Sequence, residues 1–272
     1  MEIERLGNYQ EVDERGYLVS LAGALSIQPE WAEVLSAVRE AYLDKWRDAI
    51  HSIYIRGSVA KGCALRAVSD IDSFAVTVKG KDPSAVNRED FRAWTLDLEK
   101  RVQTAYPYVA GVETGLTAFE EASDPTSIYA FMIKVQAVCI HGEDLAQHLP
   151  GYKPGPDIAF QTRHFRQHLD LFLKEYPQEP ESEKPDFLVW MMRRFLRLGM
   201  ELVMSREGRF TRDLYLCYES FKKYYPERQD DMYHALELAV NPVVNSGTEA
   251  FVKNFGAYLA DEADGALDRA PP

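Results

Sequence analysis

Residues 53–78 read IYIRGSVAKGCALRAVSDIDSFAVTV and join two apolar segments through a short polar loop. The pattern predicts a strand at Ile53–Ile55, a helical turn or two at Val59–Leu65 and a second strand at Ile71–Val78. A strand that ends in Gly57-Ser58 before a helix directs backbone N–H groups and the positive helix end at one point. The segment therefore predicts a phosphate-binding turn.

Two aspartates open the second predicted strand. Asp70 and Asp72 are two residues apart, so in a strand their side chains leave the same face and can bind one divalent cation. Capping of a turn would explain Ser69-Asp70 alone, but it leaves Asp72 at a strand start unexplained. A phosphate-binding turn followed by a carboxylate pair predicts a nucleotide site.

The loop supplies the candidate phosphate ligands. Gly57 permits close approach of the backbone, and the Ser58 hydroxyl can donate a hydrogen bond to a phosphate. Lys61 or Arg56 can supply local positive charge, although a solvated helix position is the simpler interpretation of Lys61. Ser69, which directly precedes the carboxylate pair, is a further candidate nucleotide-binding residue.

A third acidic residue follows on the next predicted strand, which runs from Tyr108 to Thr117 with Glu113 at its middle. Nucleotidyl transfer requires a triphosphate held in line, neutralised charge on the leaving pyrophosphate and deprotonation of the attacking hydroxyl. Glu113 can complete the metal site or accept that proton. A solvent-facing strand residue is the alternative, and Glu120, Glu121 and Asp124 are competing acids.

The two halves of the chain differ in their predicted elements. Strands and helices alternate up to the Pro- and Gly-rich segment Leu149–Asp157, and everything beyond it has helical spacing. The sequence therefore predicts an α+β chain, with a mixed-sheet domain in residues 1–150 and an all-α helical, substrate-binding domain in residues 151–272. The other predicted helices cover residues 29–47, 89–105, 124 to about 141, 158–176, 186–206, 211–225, 230–240 and 248–260.

Composition limits the partners and the compartment. A formal net charge of −12 disfavours a protein that coats nucleic acid and favours a cationic or metal-bridged partner. Cys63, Cys139 and Cys217 lack metal-ligand spacing, so they are expected to be buried thiols in a reducing cytosol. No run of about 18 apolar residues is present, so a cytoplasmic protein without a membrane span is expected.

The central motif resembles the signature of the nucleotidyltransferase superfamily that includes DNA polymerase beta. The order apolar-Gly-Ser, a gap and Asp-apolar-Asp stands here as Ile55–Ser58 and Ser69–Asp72. This resemblance implies a mixed sheet flanked by helices, with Mg²⁺ and a nucleoside triphosphate bound by the two aspartates. It also implies a third acidic residue from a later strand, a position that Glu113 matches by strand order.

The rest of the chain is similar to bacterial aminoglycoside nucleotidyltransferases that adenylylate streptomycin and spectinomycin. The similar segments are IHGEDLAQHLP at residues 140–150, a helix led by Arg193 or Arg194, and EGRFTRD at residues 207–213. Three features depart from that family: Arg212 replaces a lysine, Ser73 replaces a large apolar residue, and the substrate-stacking tryptophan has no clear counterpart.

The second resemblance implies a reaction and a biological role. It implies transfer of AMP from ATP to a hydroxyl of a small, cationic molecule such as an aminoglycoside, with Glu113 as the base, and hence a role in antibiotic resistance. Nucleotidylation of a protein or a tRNA end is an alternative. A non-catalytic nucleotide-binding relative is less favoured, because paired carboxylates repel one another when no cation binds them.

Overall fold

The computed structural model describes residues 3–5 and 7–268 and divides into two compact units. The sheet unit runs from Leu18 to Tyr152, and the helical unit comprises the chain from Lys153 onward together with the N-terminal residues up to Tyr17. The predicted α+β fold class, with a mixed sheet followed by helices, is confirmed.

The sheet unit contains five strands and five α-helices among its described residues. In chain order they are α1 (Ala32–Trp46), β1 (Ile50–Arg56), α2 (Gly57–Ala60), β2 (Ile71–Thr77), α3 (Arg88–Ala105), β3 (Val112–Glu113), β4 (Leu116–Thr117), α4 (Phe119–Ser123), α5 (Ile128–Val135) and β5 (Val138–Gly142).

The sheet is mixed, and β1 and β2 lie at its centre. Its strand order is β3-β2-β1-β5, and β4 also pairs with β2. β1 is antiparallel to β2 and β5, whereas β2 is parallel to β3 and β4. Because parallel neighbours start at the same edge, the first residues of β2 and β3 lie side by side.

Apolar residues of the central strands pack on both faces of the sheet. One cluster joins the sheet to α1 and α3, and it includes Ile53 and Ile55 of β1 and Ile71 of β2. A second cluster on the other face contains Tyr54 and Phe74, whose rings stack with centroids 5.3 Å apart. Burial on both faces fixes the strand register, since a slip of one residue would exchange the two faces.

Three predicted elements of the sheet unit differ from the structure. The helix predicted to end near His141-Gly142 ends at Val135, and residues 138–142 form β5, which pairs with β1. The short apolar run at residues 138–140 fits a helix or a strand equally well by periodicity, so pairing with β1 decides its conformation. The strand predicted at residues 108–117 is two short strands, and the predicted 59–65 helix is the four-residue α2.

The helical unit is built around one long helix. Its helices are α6 (Phe160–Glu175), α7 (Lys184–Glu207), α8 (Leu214–Tyr224), α9 (Gln229–Val240) and α10 (Ser246–Asp268), and α7 packs against the other four. A Cβ atom added at Gly199 of α7 would lie 2.7 Å from Cε of Met232 and 3.1 Å from Cδ2 of Phe221. Glycine therefore permits α7 to approach α8 and α9 closely.

The N-terminal segment belongs to the helical unit, whereas the sequence-based division places it with the sheet. The Gln10 N–H donates to the Phe210 carbonyl, and the Asn8 N–H donates to Asp213. The Tyr9 hydroxyl hydrogen-bonds with Ser220 of α8 over 2.9 Å. These bonds join residues about two hundred positions apart, so local sequence patterns carry no sign of them.

The cysteines and the membrane prediction have separate outcomes. Cys217 is buried and Cys139 is half-buried, but Cys63 is exposed, so the prediction of a buried thiol is wrong for Cys63. Cys63 follows α2 in the loop that leads to β2, where the chain runs over the surface. Within residues 3–5 and 7–268, no helix has the length and apolarity that a membrane span requires.

Candidate active site

The turn between β1 and α2 requires glycine. Gly57 has a φ angle of +78°, a left-handed conformation that residues with a Cβ atom rarely adopt. A Cβ atom there would overlap Oδ2 of Asp72 and would lie 3.2 Å from its Cγ. Glycine at this position therefore permits close packing of the backbone against the carboxylate of Asp72.

The loop after this turn is closed by two serines. The Ser58 hydroxyl donates to Oγ of Ser69 over 2.9 Å, and the Leu65 N–H donates to the same oxygen over 2.9 Å. The buried Ser69 at the end of the loop is therefore bonded to Ser58 at its start. Lys61 is exposed directly after α2. With only four residues, α2 also contributes less of a helix dipole than the predicted longer helix.

The structure brings the three predicted carboxylates together. Asp72 at the second position of β2 is paired in register with Glu113 of the parallel β3. Carboxylate oxygens of Asp70, Asp72 and Glu113 all lie within 4.8 Å of one another, with Asp70 and Asp72 half-buried and Glu113 exposed. Three hard oxygen donors at this spacing suit Mg²⁺.

A guanidinium group lies within the carboxylate cluster. Nη2 of Arg56, the last residue of β1, is 2.8 Å from Oδ1 of Asp72 and 3.2 Å from Oε2 of Glu113. The side chain of Asp72 is 14% exposed and that of Glu113 is 64% exposed, so the cluster opens to solvent on the Glu113 side. The sequence suggested Arg56 as a phosphate ligand, whereas the structure pairs it with carboxylates.

Two buried hydroxyl groups position the strand that carries Glu113. The Ser73 hydroxyl donates to the carbonyl of Glu113 over 2.9 Å, and it lies 3.2 Å from the hydroxyl of Tyr42 on α1. The Tyr42 hydroxyl also donates to the carbonyl of Gly115 and accepts from its N–H. Burial raises the pKa of Tyr42 to about 12, so the phenol stays protonated and can donate.

Sequence reasoning missed the role of Ser73 and Tyr42. The available signal was Ser73 itself, a polar residue where the resembling family has a large apolar one, directly before the apolar residues Phe74, Ala75 and Val76 of β2. Because a buried hydroxyl requires a hydrogen-bond partner, Ser73 indicated a polar contact on that strand, although its partner could not be identified from the sequence.

The competing acids are engaged elsewhere in the sheet unit. Glu120 accepts the Gly80 N–H over 3.0 Å, Glu121 accepts the Thr117 hydroxyl over 2.7 Å, and Asp124 accepts the N–H of Thr126 over 2.8 Å. Each of these bonds gives the carboxylate a local structural role. Glu113 is therefore the third acid that the structure brings to the aspartate pair.

The helical unit contains charged groups in unusual environments. Burial, together with the charge of Arg212, lowers the pKa of Arg197 on α7 to about 9 and that of Arg194 to about 10. Burial lowers the pKa of His168 on α6 to about 4, and it raises that of Glu201 to about 7. Interior charges of this kind cost stability unless partners or ligands compensate them.

Comparisons with known proteins support the fold. No protein-family model matches the chain, and no curated protein matches its sequence. The structure is similar to that of spectinomycin adenyltransferase AAD(9) from Enterococcus faecialis with ATP and spectinomycin, with a TM-score of 0.51 and 14% identity over 86% of this chain and 99% of that chain. At this identity the similarity concerns the fold alone.

Proposed function

We propose that the protein transfers a nucleoside monophosphate, AMP from ATP, to a hydroxyl group of a small molecule. The carrying observation is the trio of Asp70, Asp72 and Glu113, with oxygens within 4.8 Å of one another beside the Gly57 turn. The similarity of the fold to that of an adenyltransferase with ATP and spectinomycin supports ATP as the donor and a small molecule as the acceptor.

The trio fits a divalent metal. Asp70, Asp72 and Glu113 offer carboxylate oxygens, the donors that Mg²⁺ prefers, and Arg56 shows that the cluster accepts a cation between two of its members. Asp70 and Asp72 would hold Mg²⁺, Glu113 lies within reach of the same metal, and the metal would supply neutralisation of charge on the triphosphate and the leaving pyrophosphate.

The remaining chemistry belongs to residues of the sheet unit. The acceptor hydroxyl oxygen would attack the α-phosphorus of ATP, the bond from that phosphorus to the bridging oxygen would break, and pyrophosphate would leave. The carboxylate of Glu113 is the group we assign to take the hydroxyl proton, since its side chain is 64% exposed and can meet an acceptor. Service as a metal ligand is the other role open to it.

The phosphates would bind at the turn and the loop after β1. Gly57 permits the backbone to approach them, Ser58 can turn its hydroxyl from Ser69 toward a phosphate oxygen, and Lys61 adds charge from an exposed position. Ser69 would act through Ser58, because it is buried and bonded to the Ser58 hydroxyl.

We assign the acceptor to the helical unit, which contains most of residues 151–272. The net charge of −12 supports a cationic acceptor such as an aminoglycoside. Modification of such a drug would give the protein a role in antibiotic resistance.

One screen tests the donor and the acceptor together. Pyrophosphate release is measured with ATP, GTP, CTP and UTP in the presence of Mg²⁺, across a panel of aminoglycosides, lincosamides and tRNA. We expect release with ATP and at least one aminoglycoside. Release with tRNA alone would replace the acceptor, and no release with any pair would favour a protein that only binds nucleotides.

The role of Glu113 has its own test. Glu113→Gln is expected to retain nucleotide binding, measured by calorimetry, while turnover is lost, because the amide cannot take the hydroxyl proton. Glu120→Gln is the matched control, since Glu120 bonds to Gly80 and lies outside the trio. Unchanged turnover in Glu113→Gln would assign the base to another residue.

A further inference from the structure

Arg56 lies between two of the proposed metal ligands. Its Nη2 atom is 2.8 Å from Oδ1 of Asp72 and 3.2 Å from Oε2 of Glu113, so one nitrogen bridges two carboxylates. Both carboxylates belong to the trio whose oxygens lie within 4.8 Å of one another. A metal ion that binds the same two carboxylates would compete with the guanidinium for them.

We propose that Arg56 is an internal counter-cation of the carboxylate trio. It stabilises the metal-free protein, and it lowers the affinity of the protein for a divalent metal that arrives without a nucleotide. This proposal rests on the proposed function, because it takes the trio as the metal site.

Competition follows from distances and charge. Nη2 of Arg56 uses one lone pair of Oδ1 of Asp72 and one of Oε2 of Glu113, and it stands between the two carboxylates that a shared metal ion would bridge. The like charges also repel one another. The Arg56 side chain is 32% exposed, so it can rotate into solvent without breaking the packed core. Binding of a metal between these two carboxylates therefore requires displacement of the guanidinium.

A triphosphate would offset the loss of these ion pairs. Arg56 is the last residue of β1 and directly precedes Gly57, so its displaced guanidinium stays beside the turn proposed to bind phosphates. Arginine forms strong charge-assisted hydrogen bonds with phosphate oxygens. A nucleoside triphosphate that arrives with the metal thus gives Arg56 a new anionic partner. A free metal ion gives Arg56 no such partner.

A Mn²⁺ titration tests the competition without turnover. Free Mn²⁺ is measured by electron paramagnetic resonance with the wild-type protein, Arg56→Met and Arg56→Gln, and no nucleotide is present. Both variants are expected to bind Mn²⁺ about tenfold more tightly, because two part-exposed ion pairs no longer have to be broken. Arg56→Gln keeps hydrogen-bond donors for the carboxylates, so it remains informative if Arg56→Met does not fold.

Arg39→Met is the matched control. Arg39 lies on α1 in the same unit and forms a surface ion pair with Glu40 over 2.7 Å. Its replacement removes the same charge away from the trio, so we expect Mn²⁺ affinity equal to that of the wild type.

Thermal unfolding in EDTA provides the second measurement. Without Arg56 the three carboxylates repel one another, so Arg56→Gln should melt below the wild type in EDTA and gain more from added Mn²⁺. Arg39→Met should show neither change. Equal gains from Mn²⁺ in all proteins would contradict the proposed role of Arg56.

Asp72→Asn separates this inference from the proposed function. If Asp72→Asn loses Mn²⁺ binding while the Arg56 variants bind like the wild type, the metal site stands and the counter-cation is refuted. If Asp72→Asn binds Mn²⁺ like the wild type, or no protein binds Mn²⁺, the proposed metal site is wrong and the inference falls with it. Loss in Asp72→Asn with tighter binding in both Arg56 variants supports both.

Discussion

Gly57→Ala perturbs the proposed active site through a single methyl group. The substitution forces alanine into a backbone with φ at +78°, and the new Cβ overlaps Oδ2 of Asp72. A left-handed conformation costs a residue with a Cβ about 1–2 kcal/mol. Displacing a packed neighbour adds about 1–3 kcal/mol. We therefore expect a loss of about 3 kcal/mol in the free energy of unfolding of the sheet unit.

Gly80→Ala is a matched control for the backbone contribution. Gly80 belongs to the same unit and has a φ angle of +79°, but a Cβ atom there meets nothing within 4 Å. Its substitution should lower the free energy of unfolding by only about 1 kcal/mol, because the lower flexibility of the unfolded chain partly offsets the backbone strain. The difference between the two variants isolates the contact with Asp72.

Two assays follow this pair of variants. Urea unfolding gives the free energies, and Mn²⁺ titration reports on the carboxylates. Gly57→Ala should lose both stability and Mn²⁺ affinity, because Asp72 must rotate away from the added methyl group, whereas Gly80→Ala should keep the affinity of the wild type. Equal losses of stability, with equal Mn²⁺ affinity, would refute the close packing of Gly57 against Asp72.

Two groups of the helical unit predict opposite pH dependences. The pKa of His168 is about 4, below its ordinary 6.5, so the wild type loses stability as pH falls from 6.5 to 4. Because solvent screens this half-buried group, His168→Gln should reduce that loss in the free energy of unfolding by about 2 kcal/mol, whereas the exposed control His164→Gln should leave it unchanged. The pKa of Glu201 is about 7, above its ordinary 4.5, so the wild type loses stability as pH rises from 4.5 to 7. Glu201→Gln removes this loss, so its melting temperature relative to that of the wild type should rise between pH 5 and pH 8. The relative melting temperature of the control Glu11→Gln should stay constant. If the stability of His168→Gln or of Glu201→Gln depends on pH as that of the wild type does, the burial of the corresponding group is contradicted.

Local sequence pattern predicts the pair of Asp70 and Asp72 and leaves four acids as candidates for the third carboxylate. In the structure Asp70 directly precedes β2, Asp72 is the second residue of β2, and Glu113 of β3 lies in register with Asp72. The choice of Glu113 over Glu120, Glu121 and Asp124 depended on side-chain bonds within the folded sheet unit. Sequence separation alone could not rank these four acids.

Features set by long-range pairing could not be predicted. Residues 138–142 have no helical or strand bias strong enough to decide their conformation, and their pairing with β1 makes them a strand. The N-terminal residues join the helical unit through bonds to Phe210 and Asp213. The position of Arg56 between two carboxylates likewise depends on the pairing of β1 with β2, which places Arg56 opposite Asp72.

Transfer of the α-phosphate tests the central claim most directly. ATP labelled at the α-phosphate is incubated with Mg²⁺, an accepting molecule found in the screen, and the wild-type protein, Asp70→Asn or Asp72→Asn, with circular dichroism to confirm folding. We expect the label on the acceptor with wild type only, because each variant removes a carboxylate of the trio. Equal label transfer by the folded Asp70→Asn and Asp72→Asn variants would contradict the assignment of this site.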